Sequence, residues 1–164
     1  MAVDMFMDME GVKGESQDKK HTKTIDVLAW SWGMAQSGTT HMGTGGGGGK
    51  VQVHDLSFTK YVDSATPQLM LFCANGKHLK KAELFIRRAA GEKAGGLEYL
   101  KITMEEIIIS SLSTGGSGGE DRFTENVTLN FANVKLEYTP QKEDGTADAV
   151  KTYIGKIAVN AHSA

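Results

Sequence analysis

Two residue types that often stabilise or shape small folds are scarce in this sequence. Cys73 is the only cysteine among 164 residues, which excludes an intrachain disulfide and a zinc site built from cysteines. Only two prolines are present, whereas the 20 glycines exceed the roughly 11 that average usage would give. We therefore expect a single domain, residues 1–164, with many turns, held together by its core and suited to a reducing cytoplasm.

The sequence also lacks long apolar runs and an excess of charge of one sign. No segment is long enough to span a bilayer, and residues 1–8 have neither the basic start nor the apolar run of a signal peptide. The 18 basic and 20 acidic side chains give a net charge of −2, which is too balanced for a nucleic-acid-binding protein. We expect synthesis in the cytoplasm without a signal peptide, no membrane insertion and no nucleic-acid partner.

Alternating polarity predicts that most of the chain forms β-strands. Val3–Met9 alternates, and so does the segment 24–34, whose two faces differ. One face of this second segment is small and suits a surface that other molecules touch; it comprises Ala29, Ser31 and Gly33. The other face is bulky and is expected in the core, although an exposed stacking platform for a sugar or a base is an alternative. This bulky face comprises Leu28, Trp30, Trp32 and Met34.

Further strands are predicted over residues 51–61, 79–89, 97–112 and 150–159, with a turn at 91–96. A strand after residue 123 changes its apolar parity along its length. The apolar residues on its first side are Val127, Leu129 and Phe131, and those on its second side are Val134, Leu136 and Tyr138. A β-bulge near Ala132 and Asn133 would produce this change.

One helix is predicted, and its boundary residues are all present. Thr66 suits the N-cap, Pro67 the first helical position and Gly76 the residue after the last turn. Its apolar stripe would cover an opening of the sheet and comprises Leu69, Phe72 and Cys73. The predicted fold class is mainly β: a compact antiparallel β-barrel of two packed sheets, with one short flanking α-helix and an extended glycine-rich loop.

The glycine-rich segment 37–50 is expected to be disordered alone or ordered by a partner. It is not a phosphate-binding loop, because Thr44 stands where that pattern needs glycine and Val51 where it needs serine or threonine. The five histidines are scattered without the spacing of a metal site. We expect no cofactor and no metal.

An acidic cluster is the one feature that could support catalysis. Glu120, Asp121 and Glu125 lie close together beside Arg122, and a pair of carboxylates can hydrolyse a glycoside. Such a cluster in a loop is more typical of solvated charges or of a salt bridge at an interface. We therefore expect no enzymatic activity, with a hydrolase as the alternative.

Several segments, in order along the chain, resemble the haemolysin co-regulated protein (Hcp) family of bacterial type VI secretion. They are M-A-V-D-M-F (1–6), V-K-G-E-S (12–16), I-D-V-L-A-W-S-W-G-M (25–34), V-H-D-L-S-F-T-K-Y (53–61), N-G-K-H (75–78) and S-T-G-G-S-G-G-E-D-R-F-T-E-N-V-T-L-N-F (113–131). The last of these is the most informative. The resemblance weakens after about Pro140.

The resemblance implies a structural subunit without enzymatic activity. Members of the family form homo-hexameric rings that stack into a tube, inside a contractile sheath and behind a spike of the VgrG type. The channel carries and shields small effector proteins, and the subunit is secreted into the medium or into target cells.

The resemblance also suggests roles for three groups of residues in this chain. The loop that would stack the rings comprises Gly43, Gly45, Gly46, Gly47, Gly48, Gly49 and Lys50. The residues expected to line the channel are Ala29 and Ser31. The family signature loop comprises Gly115, Gly116, Ser117, Gly118, Gly119, Glu120, Asp121 and Arg122.

Overall fold

The structure is a computed structural model that describes residues 3–38, 41, 43, 48–88 and 96–164. In these residues the chain forms one helix, α1 (Thr66–Asn75), and eleven strands. The strands are β1 (Val3–Met9), β2 (Ile25–Asp26), β3 (Ala29–Ser31), β4 (Met34–Ala35), β5 (Gln52–Val53), β6 (Leu56–Tyr61), β7 (Leu79–Arg88), β8 (Leu97–Gly115), β9 (Thr124–Tyr138), β10 (Lys151–Lys156) and β11 (Ala161–Ser163). The predicted turn at 91–96 lies outside the described residues except for Gly96.

All the strand pairs are antiparallel, and nine strands form one sheet system. The main path runs β11-β10-β9-β8-β7-β1-β2, and a branch joins β3 to β6 and β6 to β9. The segment between β2 and β3 bridges β1 and β6 by backbone hydrogen bonds. There the Val27 amide donates to the Met5 carbonyl of β1 at 3.0 Å, and the Leu28 amide donates to the Thr59 carbonyl of β6 at 2.8 Å.

The long strands β8 and β9 belong to two sheets at once. The first half of β9 pairs with β6, from Thr124↔Tyr61 to Leu129↔Leu56, and its second half pairs with β10 on the same edge. β8 follows β9 through both halves but pairs with β7 only as far as Ile107. One sheet is therefore β3-β6-β9-β8, and the other is β10-β9-β8-β7-β1. The two sheets share β8 and β9, in agreement with the predicted pair of packed sheets.

The core lies between these sheets, under α1. It is made of alternate residues from β1, β6, β7, β8 and β9 together with the apolar stripe of the helix. Fully buried members include Met7, Phe58, Leu84, Ile102 and Leu129. Burying each such side chain stabilises the fold by about 1.5–3 kcal/mol, because apolar surface leaves water.

The prediction of one continuous strand over 24–34 is wrong. The segment breaks into β2, β3 and β4 because its pairing partner changes from β1 to β6 between Val27 and Leu28. The bulky face is consequently only partly in the core, since Leu28 and Met34 are 40% and 43% exposed, whereas Val27, at the opposite parity, is buried. Trp30 and Trp32 are half-buried and pack against the core.

The predicted change of parity near Ala132 occurs, but no bulge in β9 alone produces it. The pairing register is the same on both sides, because Glu105 pairs with Asn133 and Ile107 with Phe131. The reversal affects three neighbouring strands together, since two successive residues point away from the core in β7 and in β8 as well. Glu106 sits on this line with φ +53°, a left-handed conformation that costs a non-glycine residue about 1–2 kcal/mol.

Helix α1 ends as predicted but begins differently. Gly76 closes it with φ +64°, and the stripe is as expected, with Leu69 and Phe72 buried and Cys73 half-buried. Thr66 is not the N-cap: Ala65 precedes the helix with no side-chain cap, and Thr66 is a buried helical residue. The Thr66 hydroxyl takes part in the buried ion network described below.

The end of the chain forms two strands where one was predicted. β10 pairs with β9, and β11 folds back on β10 through a turn in which Asn160 has φ +50°. The described residues contain no helix that is both long and apolar enough to cross a bilayer.

Candidate functional site

The sheet β3-β6-β9-β8 has one face toward the core and an opposite face of mostly short polar side chains, which we call the polar wall. Its members point away from the core on all four strands, and none of them is buried. The polar wall comprises Ala29, Ser31, Asp55, Ser57, Thr59, Tyr61, Ile108, Ser110, Ser111, Ser113, Thr124, Asn126, Thr128 and Asn130. Most of these side chains are short and uncharged.

Hydrogen bonds between strands occupy many polar groups of the polar wall. The Thr59 hydroxyl donates to Asn126 Oδ1 at 2.6 Å. The Thr128 hydroxyl lies 2.7 Å from that of Ser110 and 2.6 Å from that of Ser111, where a shift in register brings two serines against one threonine. These groups satisfy one another, and the remaining polar side chains of the wall are mostly small hydroxyls, so the surface suits weak, reversible contacts.

The two residues predicted to line a channel both lie on the polar wall. Ala29 pairs with Thr59 and Ser31 with Ser57, and both are exposed. The sequence interpretation missed the rest of this surface on β6, β8 and β9. The same alternation that identified the core residues of those strands, read at the opposite parity, would have found it.

The family signature loop joins β8 to β9 at one end of the polar wall. Its eight residues are exposed, and they include Glu120, Asp121 and Arg122. The Arg122 guanidinium lies 3.8 Å from the centre of the Tyr61 ring, a cation–π contact. Gly116 lies directly under the Phe123 ring: a Cβ there would be 2.0 Å from Phe123 Cδ1, so a larger residue would displace the ring.

An ion network lies buried where two of the quoted segments, 53–61 and 113–131, meet the start of α1. Lys60 on β6 pairs with Glu125 on β9, and the side chains of both are fully buried. Lys60 Nζ also lies 2.8 Å from Asp63 Oδ1 and 3.3 Å from Thr66 Oγ1, and the Thr66 hydroxyl donates to Glu125 Oε1 at 2.7 Å. Glu125 Oε2 is buried with no hydrogen-bond partner in the described part of the chain.

The acidic cluster of the sequence interpretation is therefore divided. Glu120 and Asp121 face solvent, whereas Glu125 faces Lys60 inside the fold, so the three carboxylates do not form one site. The prediction of solvated or interface charges is wrong for Glu125, because its strand parity directs it to the core. Among the residues described, no group of three His, Cys, Asp or Glu side chains could hold a metal ion.

A groove of about 390 Å³ lies beside the signature loop and is lined by Glu15, Asp26, Leu28, Tyr61, Asp63 and Arg122. Two of its carboxylates are already engaged. Glu15 Oε2 accepts the Ser64 amide at 3.0 Å, and Asp63 pairs with Lys60. The groove therefore lacks the free pair of carboxylates that glycoside hydrolysis needs.

Two short strands flank the glycine-rich segment. β4 and β5 pair as a two-stranded sheet, which we call the arm, and an isolated bridge joins Gly38 to Gly48. Of the residues predicted to stack rings, Gly43, Gly48, Gly49 and Lys50 are exposed. Gly45, Gly46 and Gly47 lie outside the described residues.

The indoles of Trp30 and Trp32 are not an open stacking platform. Trp32 packs 6.1 Å from Phe131, centre to centre, and its Nε1 donates to the His54 carbonyl at 2.9 Å. Trp30 packs against the core. A site that stacks a sugar or base on both indoles would need these rings to be free.

The outer face of the other sheet is charged, and its charges are paired. Arg87 binds Asp18 at 2.5 Å and Asp4 at 3.2 Å. The hydrogen bond from Arg87 lowers the pKa of Asp18 to about 2. His21 stacks between Phe6 and Phe85 and lies 2.5 Å from Glu98 Oε1, so these contacts fix the loop 14–23 to the sheet.

Comparison with known proteins agrees with this architecture. Residues 6–138 match the family described as "Type VI secretion system effector, Hcp". The chain is 64% identical over 148 residues to Protein hcp1 of Pseudomonas aeruginosa, covering 90% of each. The chain belongs to the Hcp family.

Solved structures of Hcp proteins have the same fold. The crystal structure of Hcp1 from Salmonella typhimurium matches with a TM-score of 0.80 and 38% identity, covering 99% of this chain and 100% of that one. A structure described as a type six secretion system protein matches with a TM-score of 0.90 and 30% identity, over 99% and 100% of the two chains. The Hcp chain described here is therefore a secreted, structural protein of type VI secretion, and not a member of an enzyme family.

Proposed function

We propose that this Hcp chain is the subunit of the type VI inner tube. Six copies close into a ring, rings stack into an exported tube, and the channel binds and protects small effector proteins. The observation that carries the proposal is the polar wall: a face of mostly short, uncharged side chains on a four-stranded sheet whose two outer strands have unpaired edges among the described residues.

The two unpaired edges supply the two different surfaces that a ring of identical subunits needs. β3 pairs only with β6, and β8 beyond Ile107 pairs only with β9, in the part of the chain that the structure describes. Unpaired strand edges carry free amide and carbonyl groups that pair with another chain. Joining β3 of one subunit to β8 of the next would continue the sheet and turn six polar walls toward one channel.

The arm built on β4 and β5 suits contact between stacked rings. It lies between β3 and β6 along the chain, Val53 packs against the core, and Met34 is 43% exposed. Its glycines let the backbone approach a neighbouring ring closely, because no side chain intervenes. The sheath and a spike of the VgrG type would then meet the outside and the end of this tube.

Particle imaging and sedimentation of the purified protein test ring formation. We expect annular particles with sixfold symmetry for the unaltered protein. The Thr59 carbonyl accepts the Leu28 amide and Thr59 pairs with Ala29, so the Ala29 backbone faces β6 and the Trp30 amide points to the unpaired edge. Trp30→Pro should therefore remove an edge donor and give monomers. Trp30→Phe retains the amide and an aromatic ring and should still form rings. A dispersed monomer in the unaltered protein would contradict the proposal.

Effector retention tests the role of the wall. Ser31 is small and exposed, so Ser31→Trp should reduce the amount of effector that co-purifies with intact rings. The control is Ser163→Trp on β11, which lies outside the polar wall. Equal retention by both ring preparations would show that Ser31 does not face the cargo.

A further inference from the structure

Asp55 differs from every other member of the polar wall. It is the only one that carries a charge at neutral pH. It lies just before β6 and, by the register of β6 with β9, opposite Asn130. A single carboxylate on an otherwise neutral surface dominates the electrostatic character of that surface.

Neutral groups alone hold the Asp55 carboxylate in place. The Ser110 hydroxyl donates to Oδ2 at 2.7 Å, and the Asn130 side-chain amide donates to Oδ1 at 2.8 Å. No lysine or arginine nitrogen lies within 4.0 Å of it among the described residues. Each carboxylate oxygen can accept a second hydrogen bond, so the group is both fixed in orientation and able to bind another donor.

On the outer face of the same chain, Glu83 and Glu137 form ion pairs with lysines. Glu83 lies 2.9 Å from Lys81 Nζ and 2.7 Å from Lys101 Nζ, and Lys135 lies 2.6 Å from Glu137. Those charges are balanced within the subunit. Asp55 is thus a half-buried carboxylate, fixed by two donors, whose counter-charge the described residues do not supply.

We propose that Asp55 selects cargo by charge: it binds lysine or arginine side chains on the surface of a transported protein. This inference rests on the proposed ring, in which six copies of Asp55 would form a band of carboxylates around the channel. Rings of acidic side chains attract cations in narrow passages, because low-dielectric walls focus their field. The neutral remainder of the wall would leave that contact weak enough to be released.

The test uses assembled rings and a fluorescein-labelled decalysine peptide, with binding followed by fluorescence anisotropy at low and moderate salt. Asp55→Asn should weaken binding at least fivefold. The matched control is Asp148→Asn, which removes the same charge from an exposed loop residue outside the wall and should change affinity less than twofold. Decaglutamate should not bind the unaltered rings.

A second variant keeps the proposal testable if Asp55→Asn disturbs the wall. Ser57→Lys places a cation two residues along the same face and should abolish decalysine binding while rings persist. Intact rings that bind decalysine equally well with Asp55→Asn, Ser57→Lys and Asp148→Asn would overturn this inference and leave the ring proposal standing. Absence of rings in the unaltered protein would overturn both.

Discussion

The ion pair between Lys60 and Glu125 lies wholly inside the fold, whereas the pair between Arg87 and Asp18 lies on the outer face of the other sheet. Both buried side chains have zero exposure; the outer ones are 12% and 20% exposed. Transfer of two charges from water costs several kcal/mol each, and a second charge or hydrogen bond must offset it. Breaking the buried pair would leave an uncompensated charge in the core, whereas the outer pair adds a smaller stabilisation to a loop.

Breaking the buried pair should cause a larger loss of stability than breaking either of the more exposed ion pairs discussed below. Glu125→Ala leaves the Lys60 ammonium in the core without its main partner, and it should lower the free energy of unfolding by about 3–5 kcal/mol. Urea unfolding followed by circular dichroism measures this loss. The variant Lys60→Met with Glu125→Leu replaces both charges by apolar groups and should restore most of the stability. A double variant as unstable as Glu125→Ala would show that the charges themselves stabilise the fold.

Removing the charge of Asp18 should have a smaller effect that depends on pH. Asp18→Asn weakens the hydrogen bond from Arg87 and should cost about 1 kcal/mol at pH 7, since solvent screens the pair. The folded-state pKa of about 2 lies below the ordinary 3.8, so the stabilisation is present above pH 4 and is lost as pH falls toward 2. Urea midpoints of both proteins at pH 7, 4 and 2.5 should converge with acidity. A constant difference would mean that Asp18 acts by packing.

The smallest effect is expected from the exposed pair of Lys135 and Glu137. Lys135 is 46% exposed, and exposed ion pairs contribute about 0–1 kcal/mol. Lys135→Ala should change the free energy of unfolding by less than about 0.5 kcal/mol, and high salt should remove even that difference. A loss as large as that of Asp18→Asn would show that exposure does not rank these pairs.

Much of the fold could be predicted because the alternation of a strand and the ends of a helix depend on neighbouring residues in the sequence. The alternation in β7, β8 and β9, the stripe of α1 and its end at Gly76 all follow from neighbouring residues. The parity reversal near Ala132 was also visible in the sequence. Its cause was not, because it involves three strands that change together.

Partnerships across the chain could not be predicted in the same way. Glu125 lies 65 residues from Lys60, and only the register of β6 with β9 brings them together. Thr66 looked like an N-cap because that residue type favours helix starts, but its hydroxyl is drawn into this network instead. Likewise, nothing local in the segment 24–34 shows that its hydrogen bonds pass from β1 to β6 after Val27.

The reversal line at Glu106 has a mechanical consequence. Because β8 and β9 cross it without interruption, the two sheets share two continuous backbones. Force applied to one sheet reaches the other through covalent bonds and a ladder of backbone hydrogen bonds. The two sheets of the subunit would therefore move under load as one stiff body.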